Sequence, residues 1–246
     1  MRRFFISGAL SDQVSLVGDD AHHIMHVLRA KLGQKLLVVD AKRQVAEMEI
    51  TEFHSDAVEL KCLRYLDADT EPAIDVTLIQ FLPKGDKMDF IVQKAVEIGV
   101  SRIIPVAGMN CVVKYDAAKR QARQKKWQKI ADEAAKQCGR TLQPEVMAVT
   151  NLKEVLENPE KALLFMCYEG VANQPICDFL AQAENEQIGL LIGPEGGFAP
   201  EEVALCQQYG VQTVTLGPRI LRTETAALAA LSIVMYQKGD LGGRSK

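Results

Sequence analysis

No two cysteines of this chain stand in a CxxC pair; Cys62, Cys111, Cys138, Cys167, Cys177 and Cys206 are scattered singly. That spacing argues against a zinc site and against a disulfide framework, so the thiols are expected reduced and mostly buried. Long apolar runs are missing as well. No stretch approaches the ~18 residues that a membrane-spanning helix needs. The opening Arg2-Arg3-Phe4-Phe5-Ile6 imitates a signal peptide but ends at Ser11-Asp12 without a cleavage-type site. A cytoplasmic protein with no membrane segment is expected. Histidine is confined to one end: His22, His23, His26 and His54 all precede residue 55, so later chemistry has no imidazole of its own. His22 and His26 share a helical face, but no further ligands follow at a recognisable spacing, and no metal is expected. A dominant charge is also lacking. The formal net charge is −3, which excludes a globally basic nucleic-acid binder.

The distribution of charge says more than its sum. Lys114, Lys119, Arg120, Arg123, Lys125, Lys126 and Lys129 face the single Asp116 in one segment. Such a run is either a phosphate-binding footprint or a solvated helix face.

The first 70 residues read as β. Leu36 to Val39 is a short apolar strand. Ala46, Met48 and Ile50 alternate with Glu47 and Glu49, and Val58, Leu60 and Cys62 alternate with Glu59 and Lys61. A period of two predicts half-buried antiparallel strands with the polar members in water, and a small barrel fits. A short helix is expected over His22 to Arg29. Around Asp67 to Pro72 the chain turns acidic, which predicts a boundary between residues 1–70 and 73–246.

Beyond it the pattern changes. Ile74 to Leu82 reads as a long apolar strand, Asp86 to Ile98 as a helix capped by Gly99, and Arg102 to Val106 as another strand. The basic segment becomes a helix from about Ala117 to Cys138. Strands over Ala162–Cys167, Ile188–Ile192 and Val211–Leu216 follow, separated by helices. Short apolar strands alternating with helices indicate an α/β domain with a mostly parallel sheet.

Two glycine-rich turns each follow a strand. The first runs Ile192-Gly193-Pro194-Glu195-Gly196-Gly197-Phe198-Ala199-Pro200-Glu201-Glu202. Pro200 suits the first position of a helix, with two carboxylates in its first turn. It has neither the Lys-Ser/Thr of a Walker loop nor a GxGxxG fingerprint, and its carboxylates would repel phosphate. An uncharged or cationic ligand fits better. The second runs Leu216-Gly217-Pro218-Arg219-Ile220-Leu221-Arg222-Thr223-Glu224-Thr225-Ala226. Thr223 is the expected N-cap of the helix that follows. That helix, Ala226 to Met235, is apolar nearly all round and must be buried in the core or against a partner subunit. Arg219 and Arg222 precede it, and arginine is rarely buried unpaired.

Together, Ile192–Phe198 and Leu216–Ala226 resemble the bacterial 16S rRNA (uracil-N3) methyltransferase family, a branch of the SPOUT superfamily. Arg2-Arg3-Phe4, Val27-Leu28-Arg29, Lys84–Met88, Gln93–Val100 and the stretch from Trp127 to Arg140 agree, so the likeness spans nearly the whole chain. One departure is Gly108-Met109-Asn110, where the family usually carries Ser-Glu-Arg; it puts in doubt one RNA or substrate contact from position 110.

The resemblance implies a PUA-like RNA-binding β-barrel over 1–70. Over 73–246 it implies a SPOUT methyltransferase domain with a C-terminal trefoil knot. It further implies a homodimer, S-adenosylmethionine as cofactor, and methylation of uridine N3 in 16S rRNA, within the 30S subunit. For the cofactor it points to Ile192, Gly193, Pro194, Glu195, Gly196 and Gly197 of the first turn, and Leu216, Gly217, Ile220 and Leu221 of the second. Tyr168 and Glu169, after Cys167, form a third wall, and Thr225 and Ala226 complete the set. Arg222 is assigned the electrostatic role in catalysis ahead of Arg219; neither is a base, because guanidinium stays protonated. The base is unassigned among Glu195, Glu224 and a histidine reaching in from the barrel. For RNA the expected contacts are Arg2, Arg3, Arg29, Lys84, Lys87, Lys114, Arg120 and Arg123. The competing readings are a catalytically silent RNA-binding or ribosome-assembly protein, a methyltransferase of the same superfamily acting elsewhere on RNA, and a nucleotide-binding metabolic enzyme.

Overall fold

The computed structural model describes residues 2–68, 70–157, 162–170 and 174–243, so Asp69 of the acidic stretch lies outside the described residues. The chain divides into two units: residues 1–71 with 135–143, and residues 72–134 with 144–246.

In the first unit, β1 (Arg3–Phe5) and β2 (Gln13–Val17) are followed by α1 (Gly18–His22), then by β3 (Lys35–Val39), β4 (Val45–Phe53) and β5 (Ala57–Leu66). They form one sheet in the order β1-β3-β4-β5-β2, antiparallel except for the β1–β3 pair. Register shifts at Glu47/Met48 and Ile50/Glu52 bend β4, and the sheet curls as half of a barrel. Its hollow is filled by Phe4, Leu16, Ile24, Leu36, Met48 and Leu60. Two expectations need correction. The helix begins earlier than His22, at Gly18, and loosens into a π-helical turn over His23–Val27 before Arg29 takes a left-handed φ of 49°. Glu47 does not face water: it is 5% exposed, ion-paired to Arg64 at 2.7 Å and to Lys35 at 3.5 Å. Two cations let a carboxylate occupy a position that alternation assigns to solvent.

The segment 135–143 is bonded to the rest of its unit through Asp20, which pairs with Lys136, through Thr70, which donates to the carbonyl of Gly139 at 2.8 Å, and through Glu71. Glu71 and Arg140 are each 4% exposed and meet at 2.5 Å. The other Glu71 oxygen accepts from the backbone N–H groups of Thr141 at 2.7 Å and Leu142 at 2.9 Å. Burial pushes the Glu71 carboxyl up, yet Arg140 and these two N–H groups outweigh it and hold the group below its ordinary range.

The second unit opens with β6 (Asp75–Phe81), α2 (Lys87–Ile98), β7 (Arg102–Val106), α3 (Ala117–Cys138, its last turn in the first unit), β8 (Glu145–Val146) and α4 (Leu152–Glu157). Then come β9 (Leu163–Cys167), β10 (Gln174–Pro175), α5 (Ile176–Gln182), β11 (Gln187–Ile192), α6 (Pro200–Gln208), β12 (Gln212–Thr215) and α7 (Thr223–Gln237). Seven strands make one sheet in the order β10-β12-β9-β11-β6-β7-β8, and every neighbouring pair is parallel. Leu78, Ile79, Leu190 and Leu191 are buried in its centre, as near-continuous apolar strands require. Gly99, at φ 111°, ends α2 in the left-handed conformation. Helix α7 packs on α2, α5 and β11, which buries Ala227, Ala230, Leu231, Val234 and Met235 within the chain itself.

Register decides where ligand loops meet. Gln80, Ile192, Cys167 and Val214 stand level across β6, β11, β9 and β12. The three loops that leave β9, β11 and β12 therefore emerge side by side at the carboxyl edge of the sheet, where open α/β sheets bind ligands. Among the described residues, no helix is long and apolar enough to cross a membrane.

Candidate functional site

The loop after β11 is held from behind. Gly197, at φ 69°, closes a turn by donating its N–H to the carbonyl of Pro194 at 3.0 Å. Glu202, one of the two carboxylates in the first turn of α6, turns back on the backbone: it accepts the N–H of Ala199 and that of Met109, each at 2.8 Å. This carboxylate caps its own helix. Asn110 donates to the carbonyls of Gly196 at 3.3 Å and Gly197 at 3.2 Å. The position where the chain departs from the family pattern thus contacts the glycine loop.

The loop after β12 begins with Gly217 at φ 117°, its N–H donated to the Thr215 hydroxyl at 3.1 Å. It ends one residue earlier than expected. Arg222, not Thr223, is the N-cap of α7. The Thr223 hydroxyl instead donates to the carbonyl of Gly193 at 2.7 Å and accepts from the Gln80 amide at 3.0 Å.

Lys87, at the start of α2, lies 2.9 Å from Glu195 of the first loop and 3.0 Å from Glu224 in the first turn of α7. The Glu195 carboxylate also accepts the backbone N–H of Lys84 at 3.2 Å. Burial raises both carboxyls, but for Glu195 the Lys87 ammonium and the Lys84 N–H win, and for Glu224 its own backbone N–H and Lys87 do, so both stay below the ordinary carboxylate range. Lys87 is raised in turn by its hydrogen bonds to Glu195 and Glu224. A carboxylate held in this way is a poor proton acceptor.

These loops enclose a cavity of about 320 Å³. Cys167, Tyr168 and Glu169 line it from the end of β9; Ile192, Gly193, Pro194, Glu195, Gly197 and Phe198 from the first glycine loop; Thr215 through Thr223, and Ala226, from the second. Of the residues expected around a cofactor, Gly196 and Thr225 do not line it: Gly196 faces Asn110, and Thr225 is exposed on α7. Phe198 and Thr215 line it without having been singled out. Phe198 closes the first motif and packs edge-on to Phe81 at 4.9 Å, which an aromatic after two glycines signals only once the strand beneath is known. Arg219 and Arg222 stand at the rim, and Ile220 between them is 83% exposed. Burial pushes the Cys167 thiol up to about 12, so it is neutral and no nucleophile.

The basic residues differ in exposure and in their partners. Arg29, Lys84, Lys114 and Arg120 reach solvent. Arg120 donates to the carbonyl of Tyr115 at 3.1 Å, and the Arg123 guanidinium lies 5.7 Å from the Tyr115 ring centre. Arg2 is bonded to the His23 ring at 2.7 Å. Two residues expected to contact phosphate have partners within the chain. Arg3 is 8% exposed and donates to Thr70, and Lys87 is already neutralised by two carboxylates. Among the described residues, no group of three His, Cys, Asp or Glu side chains is arranged to hold a metal.

Comparison with known proteins agrees with this arrangement in both units. An RNA methyltransferase domain family matches residues 70–235, and an RNA methyltransferase PUA domain family matches residues 16–61. Ribosomal RNA small subunit methyltransferase E of Bacillus subtilis is 35% identical over 256 aligned residues, covering 99% of each chain. A crystal structure of the Neisseria gonorrhoeae protein of that name, bound to S-adenosyl methionine, superposes with a TM-score of 0.87 at 33% identity, covering 98% of this chain and 99% of that one. A putative methyltransferase from Legionella pneumophila, solved with the bound cofactor SAM, gives 0.88 at 29% identity over 97% and 98%. With a domain match over most of its length and a full-length relative above 30% identity, this chain belongs to the ribosomal RNA small subunit methyltransferase E family.

Proposed function

We propose that this chain transfers a methyl group from S-adenosylmethionine to N3 of a uridine in 16S rRNA, acting on the 30S subunit. The observation that carries the reading is the three-walled cavity at the carboxyl edge of the sheet, built from both glycine loops in a chain whose relatives are solved with that cofactor. The residues fit it. The cavity is near the lower end of the range for small-molecule sites. Its walls supply backbone groups, the Tyr168 ring and the carboxylates of Glu169 and Glu195, with no lysine-rich phosphate cradle. That chemistry suits a cationic sulfonium with an uncharged adenosine. The two carboxylates and the neutral loop backbone would hold and orient such a ligand.

When bound, the cofactor supplies an electrophilic methyl: its S–CH3 bond breaks as N3–CH3 forms, and the N3 proton is lost to solvent or a base. Arg222, at the cavity rim, supplies positive charge where uracil O2 and O4 gain negative charge. Glu195 and Glu224, ion-paired to Lys87, hold their charge and serve as anchors for the two loops in place of a base. The uridine is unstacked before its N3 reaches the methyl. We further read residues 1–70 as the RNA-binding part, 73–246 as the catalytic part, the chain as a cytoplasmic homodimer, and the C-terminal segment as knotted. Supporting the knot, the segment that follows β12 returns to the loop after β11, where Thr223 is bonded to Gly193.

The test is methyl transfer from labelled S-adenosylmethionine to unmodified 30S subunits, naked 16S rRNA and 23S rRNA, with nucleosides identified by mass spectrometry. 3-Methyluridine from small-subunit RNA alone is the expected product. A different methylated nucleoside sinks the N3 assignment, and no transfer by folded protein favours the silent RNA-binding reading.

A further inference from the structure

Gln80 is an odd residue for its place. It lies in β6, in the centre of a parallel sheet, with 0% exposure, level with Ile192 of β11. Its amide nitrogen donates to the carbonyl of Phe81 at 2.9 Å and to the hydroxyl of Thr223 at 3.0 Å. Its oxygen is buried and has no hydrogen-bond partner among the described residues. An unpaired buried acceptor destabilises a fold, and an apolar side chain makes the better strand residue. What glutamine adds is the donor.

That donor is the first link of a chain of bonds. Thr223, 5% exposed, passes its own proton on to the carbonyl of Gly193 at 2.7 Å. With the hydroxyl accepting from Gln80, its hydrogen has one direction left, toward Gly193. The peptide of Gly193 opens the first glycine loop, Thr223 begins α7 directly after the second, and both line the cavity. The Gly193 carbonyl belongs to the Gly193–Pro194 peptide: Pro194 limits the backbone before it, and the Thr223 bond fixes where the carbonyl points.

Resting on the reading above that the cavity takes S-adenosylmethionine, we propose that Gln80 and Thr223 are positioning residues that fix the Gly193 peptide, and with it the spacing of the two loops, for the donor. Gln80 acts through Thr223. Thr223 acts on the backbone wall.

The experiment titrates S-adenosylmethionine and S-adenosylhomocysteine into the full-length protein by calorimetry, and measures KM for the donor and kcat on 30S subunits. Wild type, Gln80→Met, Thr223→Val, Thr223→Ser and the Gln80→Met/Thr223→Val double variant are compared, with melting temperatures recorded for each. Thr223→Val is expected to weaken the donor about tenfold, the scale of one hydrogen bond removed. KM should rise more than kcat falls. Thr223→Ser, which keeps the hydroxyl, should restore affinity to within about threefold of wild type. Because the two act in series, the double variant should be no weaker than the weaker single one. Additive effects, a serine variant as poor as the valine variant, or unchanged affinity in both single variants each overturn the relay. If wild type itself binds neither ligand, the donor reading fails and takes the relay with it; if wild type binds and the variants bind equally, the relay alone fails.

Discussion

Lys87 is where residue chemistry departs most from a reading by composition. A lysine in Lys84-Gly85-Asp86-Lys87 invites a phosphate, yet its ammonium lies between Glu195 and Glu224 and ties together the loops on two sides of the cavity. Two consequences are testable. In wild type, both carboxyls stay ionised from about pH 5 to pH 8, so donor affinity should be flat across that range. Lys87→Met removes the ammonium while burial and the backbone N–H bonds stay, so both carboxyls shift up and protonate earlier as pH falls. Affinity for a cationic donor should then weaken more in the variant than in wild type on going from about pH 7 to pH 5. Calorimetry at the two pH values checks this, and a flat profile in the variant would show that Lys87 does not hold the pair charged. Arg222→Ala should lower kcat on 30S subunits by about a hundredfold or more while leaving donor affinity within about threefold, because its charge is asked to act on the uracil.

Among the elements, α3 carries the charge and its first turns carry the available part of it. Lys126 is paired to Asp89 at 2.5 Å, and Lys136 to Asp20 at 2.5 Å. Lys114 and Arg120 reach solvent, and Lys119 and Arg123 flank the Tyr115 ring. Replacing Lys114 and Arg123 by glutamine should weaken RNA binding and lower the slope of log affinity against log salt by about 1 for each phosphate no longer neutralised. Filter binding to 16S rRNA over a salt series measures it; an unchanged slope would make this end of α3 a solvated face. The elements themselves were largely legible. Apolar runs marked β6, β9 and β11, Gly99 marked the end of α2, and Pro200 marked the start of α6, because each signal is local. Glu47, Gln80 and Thr223 were not legible. Their surroundings are made by residues far along the chain, namely Arg64 for the first, Thr223 for the second and Gly193 for the third. A lone glutamine inside the Ile74–Leu82 run was the one hint that a buried donor was needed. The π-helical turn after α1 left no signal at all in the spacing of its apolar residues.

At the scale of the molecule, the first unit is discontinuous, and Glu71 with Arg140 is the most deeply buried of the ion pairs that join its two segments among the described residues. Removing one partner of a buried pair strands the other charge, so Glu71→Gln should cost about 3 kcal/mol in urea unfolding. The pH dependence follows from the depressed Glu71 carboxyl. Its contribution is present above the unfolded value of about 4.3 and is lost as pH falls through the lower folded value. Wild type should therefore lose this increment of stability below about pH 4, and the glutamine variant should show a shallower acid limb. A fragment of residues 73–246 lacks both Thr70 and Glu71 and leaves Arg140 without its carboxylate. It should melt below the full chain or aggregate, and a fragment as stable as the whole would show that 135–143 folds without the first 71 residues.

The cavity is assembled in the order in which the chain is made: Cys167–Glu169, then Ile192–Phe198, then Thr215–Ala226. A nascent polypeptide that has grown only to Pro200 holds two walls, and its Gly193 carbonyl still waits for Thr223. The cavity is therefore completed only by the last stretch of chain to be made. A product terminated before Thr215 would carry the first glycine motif intact and yet lack the third wall.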